Sequence, residues 1–203
     1  VDHSKKKQTK IKCGRRYRDT ASDAWIYSCI KRGTYFLVAT AIGKRKKKTC
    51  GKLIEKIPGR FVHLSENTKA VFYSDGNDEY TKTLSQHIPL KKLEYGQLVK
   101  IRKGGRLVKK KKTIIYGSPS TDDIETTNIE NQNGIMRERI GRLVLKTKCI
   151  SKEKGMLEAA VELFHFHWNF MDVIHDKKTP AMLEKISENI ILWHQFFYFI
   201  KYR

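Results

Sequence analysis

Apolar positions in this chain follow a strand-like pattern first and a helical one later. "DAWIYSCI" and "TYFLVATAI" are rich in β-branched and aromatic residues and flank "KRG", which predicts a hairpin of core strands. "GKLIEKI" has helical spacing and is stopped by "PG", after which "KAVFYSDGN" predicts an apolar strand ending in turn residues. Residues 91–112 carry ten Lys or Arg and one acid, Glu94. Gly104 and Gly105 at their centre predict a two-residue turn in a basic β-hairpin spanning about 97–116.

Beyond residue 125 the period changes. Ile129, Met136, Ile140 and Leu143 are spaced by 7, 4 and 3, as one helical face requires, and Glu130 borders that stripe. Ser151 is the expected cap of a long helix through "MLEAAVELFHFHWNFM", and Thr179 and Pro180 open another through "AMLEKI". An aromatic-rich segment closes the chain. The sequence is therefore α/β, strands first and helices last. Residues 1–18 are expected to form a basic arm, 19–150 a core containing the hairpin, and 151–203 a helical region.

Composition narrows the class. A chain of 203 residues can bury a core without disulfides. Cys13, Cys29, Cys50 and Cys149 include no CxxC pair, which speaks against a zinc ribbon or an oxidised scaffold and for a reducing cytosol. The longest apolar run, "IILWHQFFYFI", is too short to span a bilayer, and no signal peptide is visible, so a cytoplasmic, membrane-free location is expected. The formal net charge of +21 points to a polyanionic partner, nucleic acid above all. Within the hairpin, Lys100, Arg102, Lys103, Arg106 and the run Lys109, Lys110, Lys111, Lys112 are the candidate phosphate contacts.

Three acids stand out by position: Asp23 before a strand, Asp75 after another, and Glu130 at the start of a helix, separated by 52 and 55 residues. Three carboxylates brought together could hold two magnesium ions, because hard cations prefer oxygen ligands. Such a pair activates a water or a 3′-hydroxyl and stabilises the leaving oxygen. Each acid also has an ordinary explanation in strand, turn or helix-dipole chemistry.

The stretches around these acids resemble a known family. "SDAW" ahead of a hairpin, "VFYSDGNDEY", "IENQNGIMRERIGRLVLKTKCISK" and "KTPAM" are together similar to the DDE transposases of the family of insertion sequence one, over about residues 20–185. The Glu130 stretch is the most specific of the four. The resemblance implies a ribonuclease-H-like mixed sheet flanked by helices, with Asp23, Asp75 and Glu130 as catalytic metal ligands for Mg2+, or Mn2+ in its place. It also places Asn131, Asn133, Arg137 and Arg139 near the DNA backbone. The implied activity is cleavage of insertion-element ends and strand transfer into target DNA, by a nucleoid-associated homo-oligomer on double-stranded DNA. The family pattern carries an Asp-Glu pair before the tryptophan. Here either Asp23 is the ligand or Ser22 stands in the ligand's place. A ribonuclease-H-like nuclease or resolvase, and a non-catalytic basic DNA-binding remnant of a transposase, are the competing readings. His165 and His167, two residues apart, fall on different helix faces and are expected to pack or face solvent rather than share a metal.

Overall fold

The computed structural model describes residues 24–57, 69–144 and 153–201. The basic arm 1–18, Asp23, the expected "PG" helix stop and Ser151 lie outside the described residues. Among the described residues, five strands and six α-helices follow one another: β1 (Trp25–Ile30), β2 (Leu37–Gly43), α1 (Lys47–Lys56), β3 (Ala70–Asp75), α2 (Asp78–His87), β4 (Leu93–Lys103), β5 (Arg106–Tyr116), α3 (Thr127–Arg139), α4 (Lys154–Phe170), α5 (Pro180–Leu183) and α6 (Trp193–Lys201). The fold is mixed α/β. The chain forms two compact units; described residues of the first lie within 24–27 and 41–132, those of the second within 28–40 and 133–201. No described helix is long and apolar enough to cross a membrane.

β1 and β2 pair in a two-stranded sheet, as their composition predicts, although the turn is longer than "KRG" and closes with the Lys31 amide donating to the Phe36 carbonyl. In the first unit β3, β4 and β5 form a second, mixed sheet in that order. β3 runs parallel to β4, with Ala70 beside Leu93 and Asp75 beside Leu98, and α2 makes the crossover that a parallel pair needs. β5 returns antiparallel to β4 through Gly104 and Gly105, both at positive φ, as expected of a two-residue hairpin turn.

α1 begins four residues earlier than the periodicity of "GKLIEKI" indicates. Thr49 and Cys50, one turn before the buried Leu53 and Ile54, are themselves buried and extend the inward face into the lysine-rich segment. On α2, Asn77 caps the helix by accepting from the Glu79 amide. Below it a buried polar cluster ties helix to sheet. The Gln97 amide donates to the Tyr95 hydroxyl at 2.7 Å and to Thr81 at 3.2 Å, while Tyr95 also contacts the Ser74 hydroxyl at 2.7 Å. Tyr95 is wholly buried, and burial holds its phenol above the ordinary pKa.

α3 is shorter than its apolar spacing predicts. It ends at Arg139, Ile140 is extended, and Leu143 lies in a single 3-10 turn, Gly141–Leu143. The inward side is also not purely apolar: Gln132 is as buried as Met136, and its Nε2 finds no partner among the described residues. α4 starts after Glu153, which makes no side-chain cap hydrogen bond. α5 does open as expected, with Thr179 accepting from the Met182 amide and Pro180 in the first turn, but it is only four residues long.

In the second unit one side chain makes strand-like hydrogen bonds to the backbone of β2. Asn169 of α4, almost fully buried, accepts from the Leu37 amide at 2.8 Å and donates to the Leu37 carbonyl at 2.9 Å. Trp168 beside it donates to the Tyr35 carbonyl at 2.9 Å. Phe166 stacks on Phe170 and meets Phe196 of α6, with ring centroids 5.0 and 4.6 Å apart.

Asn169→Leu strands two buried backbone groups and should destabilise the protein by about 2 kcal/mol or more in denaturant unfolding. Asn169→Asp keeps the acceptor but faces a carboxylate to a carbonyl. Burial raises the pKa of that carboxyl, so its penalty should be largest at high pH and shrink as pH falls and the proton restores a donor. A pH-independent effect equal to that of leucine would mean that the amide is not the link.

Candidate functional site

The site is built from the C-terminal end of β3, the middle of β4 and the first turn of α3, all in the first unit. Side chains alternate along a strand, and paired residues in neighbouring strands point to the same side. Asp75 pairs with Leu98, so Tyr73, Asp75, Gly96, Leu98 and Lys100 share one face. A Cβ added at Gly96 would lie 2.7 Å from Ile124 Cδ1 and 3.4 Å from Tyr73 Cδ1, so only glycine lets the segment leading into α3 lie this close. That segment then delivers Glu130.

Glu130 reaches the same face. The Lys100 ammonium donates to both of its carboxylate oxygens, at 2.6 Å to Oε2. The Thr126 hydroxyl, buried one turn earlier, donates to Oε1 at 2.6 Å, and the Glu130 amide donates to the Thr126 carbonyl at 3.0 Å. Burial pushes the Glu130 carboxyl upward, but the hydrogen bonds from Lys100 and Thr126, with the charges of Lys100 and Lys110, outweigh it and hold the group below its ordinary pKa. Asp75 is exposed, and its carboxylate has neither a hydrogen bond nor an ion pair among the described residues. Two acids from separate elements thus share one sheet face. Asp23, the third, lies outside the described residues, and among those described no group of three or more His, Cys, Asp and Glu is placed to hold a metal ion.

The register divides the hairpin cations into two rows. Lys100 lies opposite Lys110, and Lys112 opposite Leu98, on the Glu130 side. Two members of this row are engaged internally: Lys100 is on Glu130 and the Lys112 ammonium donates to the Asp122 carbonyl at 3.0 Å. Lys109 and Lys111 face the other way, opposite Ile101 and Val99, and are exposed without an ion pair among the described residues, as are Lys103 and Arg106 at the tip. Arg102 makes one long contact, 3.4 Å, to the Gly105 carbonyl.

The α3 residues assigned by resemblance also divide. Asn131 and Arg137 are exposed. Asn133 accepts from the Ser28 hydroxyl at 2.8 Å, and Arg139 is ion-paired with Asp172 and lies 5.8 Å from the centre of the Trp168 ring. Sequence reasoning did not find the Lys100 and Thr126 contacts of Glu130. The threonine pair ahead of an acid was the available local signal for the second; the first joins residues thirty apart and has none.

Among the described residues, thiol and imidazole groups form no comparable centre. Burial pushes the Cys29 thiol up to about 12 and the Cys50 thiol up to about 11, so neither is an activated thiolate at neutral pH. His165 is buried, whereas His167 is half-buried with Nδ1 3.3 Å from Asp172.

Lys100→Ala removes the main group holding the Glu130 carboxyl down, so Glu130 should titrate at higher pH in carboxyl-detected NMR; an unmoved midpoint would exclude Lys100 as its counter-ion. Because the folded-state pKa is depressed, the ion pair stabilises at neutral pH and stops doing so as pH falls through that pKa. Half of the Glu130 side chain is exposed, so screening limits the effect to about 1 kcal/mol or less.

No protein-family model, curated protein or solved structure matches this chain.

Proposed function

We infer that this chain is the catalytic portion of a magnesium-dependent DNA transposase with a ribonuclease-H-like core, cleaving insertion-element ends and joining them to target DNA. The observation that carries the reading is the shared face of Asp75 and Glu130 on a β3–β4 pair whose second strand extends into a cationic hairpin. The parallel β3–α2–β4 unit, with one acid at the end of its first strand, suits that core.

The donor set fits a hard divalent cation. Asp75 offers an exposed carboxylate without a competing partner among the described residues, and Glu130 already holds one cationic group. Asp75 and Glu130 would hold the ion, with Asp23 the third ligand that the family resemblance implies. When bound, such an ion supplies Lewis-acid stabilisation of charge on the phosphoryl oxygens and lowers the pKa of the attacking water or 3′-hydroxyl. The chain's own residues do the positioning. Thr126 and Lys100 fix the Glu130 carboxylate against rotation, and the outward row Lys109 and Lys111, with Lys103 and Arg106, draws the phosphate backbone toward the same sheet.

A second reading, a basic nucleic-acid binder without catalysis, is favoured by one observation: Lys100 alone already neutralises Glu130. Magnesium-dependent cleavage of duplex DNA separates the two readings. Joining of the cleaved end to a second duplex separates a transposase from a nuclease or resolvase.

Asp75→Asn and Glu130→Gln should each abolish magnesium-dependent cleavage while leaving duplex binding and its salt dependence nearly intact, since neither side chain neutralises a phosphate. Cleavage that survives both changes together would sink the catalytic assignment. Lys109→Ala with Lys111→Ala should flatten the plot of log affinity against log salt by about 0.9 for each phosphate left without its lysine. Lys112→Ala, whose ammonium is engaged at Asp122, should change it far less.

A further inference from the structure

Among the described residues, the strongest basic feature outside the hairpin is α1 and the turn before it. Residues 44–48 are five consecutive Lys or Arg, and Lys52 and Lys56 follow. The inward face of α1 is apolar or small, with Thr49, Cys50, Gly51, Leu53 and Ile54 buried. That leaves the basic residues and Glu55 on the outward face, all exposed.

This face borders a cleft. A volume of about 490 Å³ lies between α1 and the last turns of α2, with Lys47, Lys48 and Lys52 on one wall and Gln86 and His87 on the other. Gly51 forms the floor, close enough that an added Cβ would lie 3.9 Å from Thr83 and 4.0 Å from His87 Nε2. Glu55 is the one acid in its lining. Lys47, Lys48 and Lys52 have no ion pair among the described residues, in contrast to Lys100, Lys31 and Lys69. Lys48 and Lys52 are one turn apart, about 6 Å along the helix, near the spacing of phosphates along one DNA strand. Like charges at that spacing weaken an isolated helix, and no acid in the first turn of α1 compensates.

We propose that the α1–α2 cleft is a second DNA-binding face, which seats the sugar–phosphate backbone of a duplex through Lys47, Lys48 and Lys52. Gln86 and His87 supply hydrogen bonds from the opposite wall. The proposal rests on DNA as the partner but not on catalysis, so a chain that binds without cleaving leaves it intact. The face is distinct in sequence and structure from the hairpin row, and the two contribute separately to affinity.

The test is fluorescence anisotropy of a labelled random-sequence duplex across a salt series. The full chain is compared with the Lys47→Ala/Lys48→Ala/Lys52→Ala variant, the Lys109→Ala/Lys111→Ala variant and their combination. The α1 variant should flatten the salt slope by about 0.9 for each phosphate it no longer neutralises, and the combination should show the two decrements together. A second measurement needs no substitution: on binding the duplex, Lys47, Lys48 and Lys52 of the unaltered protein should be protected from acetylation, while Lys185 stays reactive. Tripolyphosphate at matched charge should protect them far less. An α1 variant with unchanged slope and affinity, lysines equally acetylated with and without DNA, protection by tripolyphosphate alone, or a chain that does not bind the duplex would each overturn the proposal. A slope lowered only by the hairpin variant would leave the hairpin reading standing and remove this one.

Discussion

The fold tolerates its charge at one decisive place, the contact of Glu130 with Lys100. β4 and β5 set Lys100 directly opposite Lys110, and like charges in facing positions of an antiparallel pair repel. Glu130 lies against the first and lowers the repulsion with the second. The acid and the lysine pair therefore explain each other. The carboxylate in the first turn of this helix is, in space, the counter-charge of a hairpin that would otherwise bring two ammonium groups together.

The rest of the face follows from that contact and from buried anchoring on the opposite side of the sheet. Ser74 and Tyr95 join the end of β3 to β4, and Gln97 extends the link to Thr81 of α2. The strand carrying Asp75 is thus held from behind while its carboxylate stays open to solvent. Gly96 removes the side chain that would keep Ile124 away, and Ile124 is fully buried as a result. The placement of both acids depends on groups behind and beside them, Ser74, Tyr95, Gln97 and Ile124.

Much of this was legible locally. The glycine pair at the hairpin tip, the threonine–proline start of α5 and the apolar runs of β1, β2 and β3 each follow from one residue type meeting one backbone requirement. What was not legible depends on contacts between distant residues. Three adjacent lysines carry no helical period, so the start of α1 becomes apparent only when Thr49 and Cys50 are seen to be buried. Apolar spacing carried on past Arg139 although the backbone did not: Ile140 is buried just beyond the helix end, and Leu143 lies in a 3-10 turn. Lys100 was indistinguishable from its neighbours until the register assigned it to the Glu130 side. The two acids that the structure does place were visible in sequence as candidates; their common face was not.

Among the described residues β5 is an outer strand of its sheet, and such a strand offers a free row of amides and carbonyls to any extended chain nearby. The lysines at 109–112 lie along that row, so a second copy approaching edge to edge would bring four positive charges against four more. The lysine run therefore keeps the sheet from growing across molecules. A polyanion that covers those lysines also removes this protection, which makes colloidal stability a property of the free protein and of saturated complexes. Half-neutralised mixtures, in which some strands are shielded and others still exposed, are where aggregation begins.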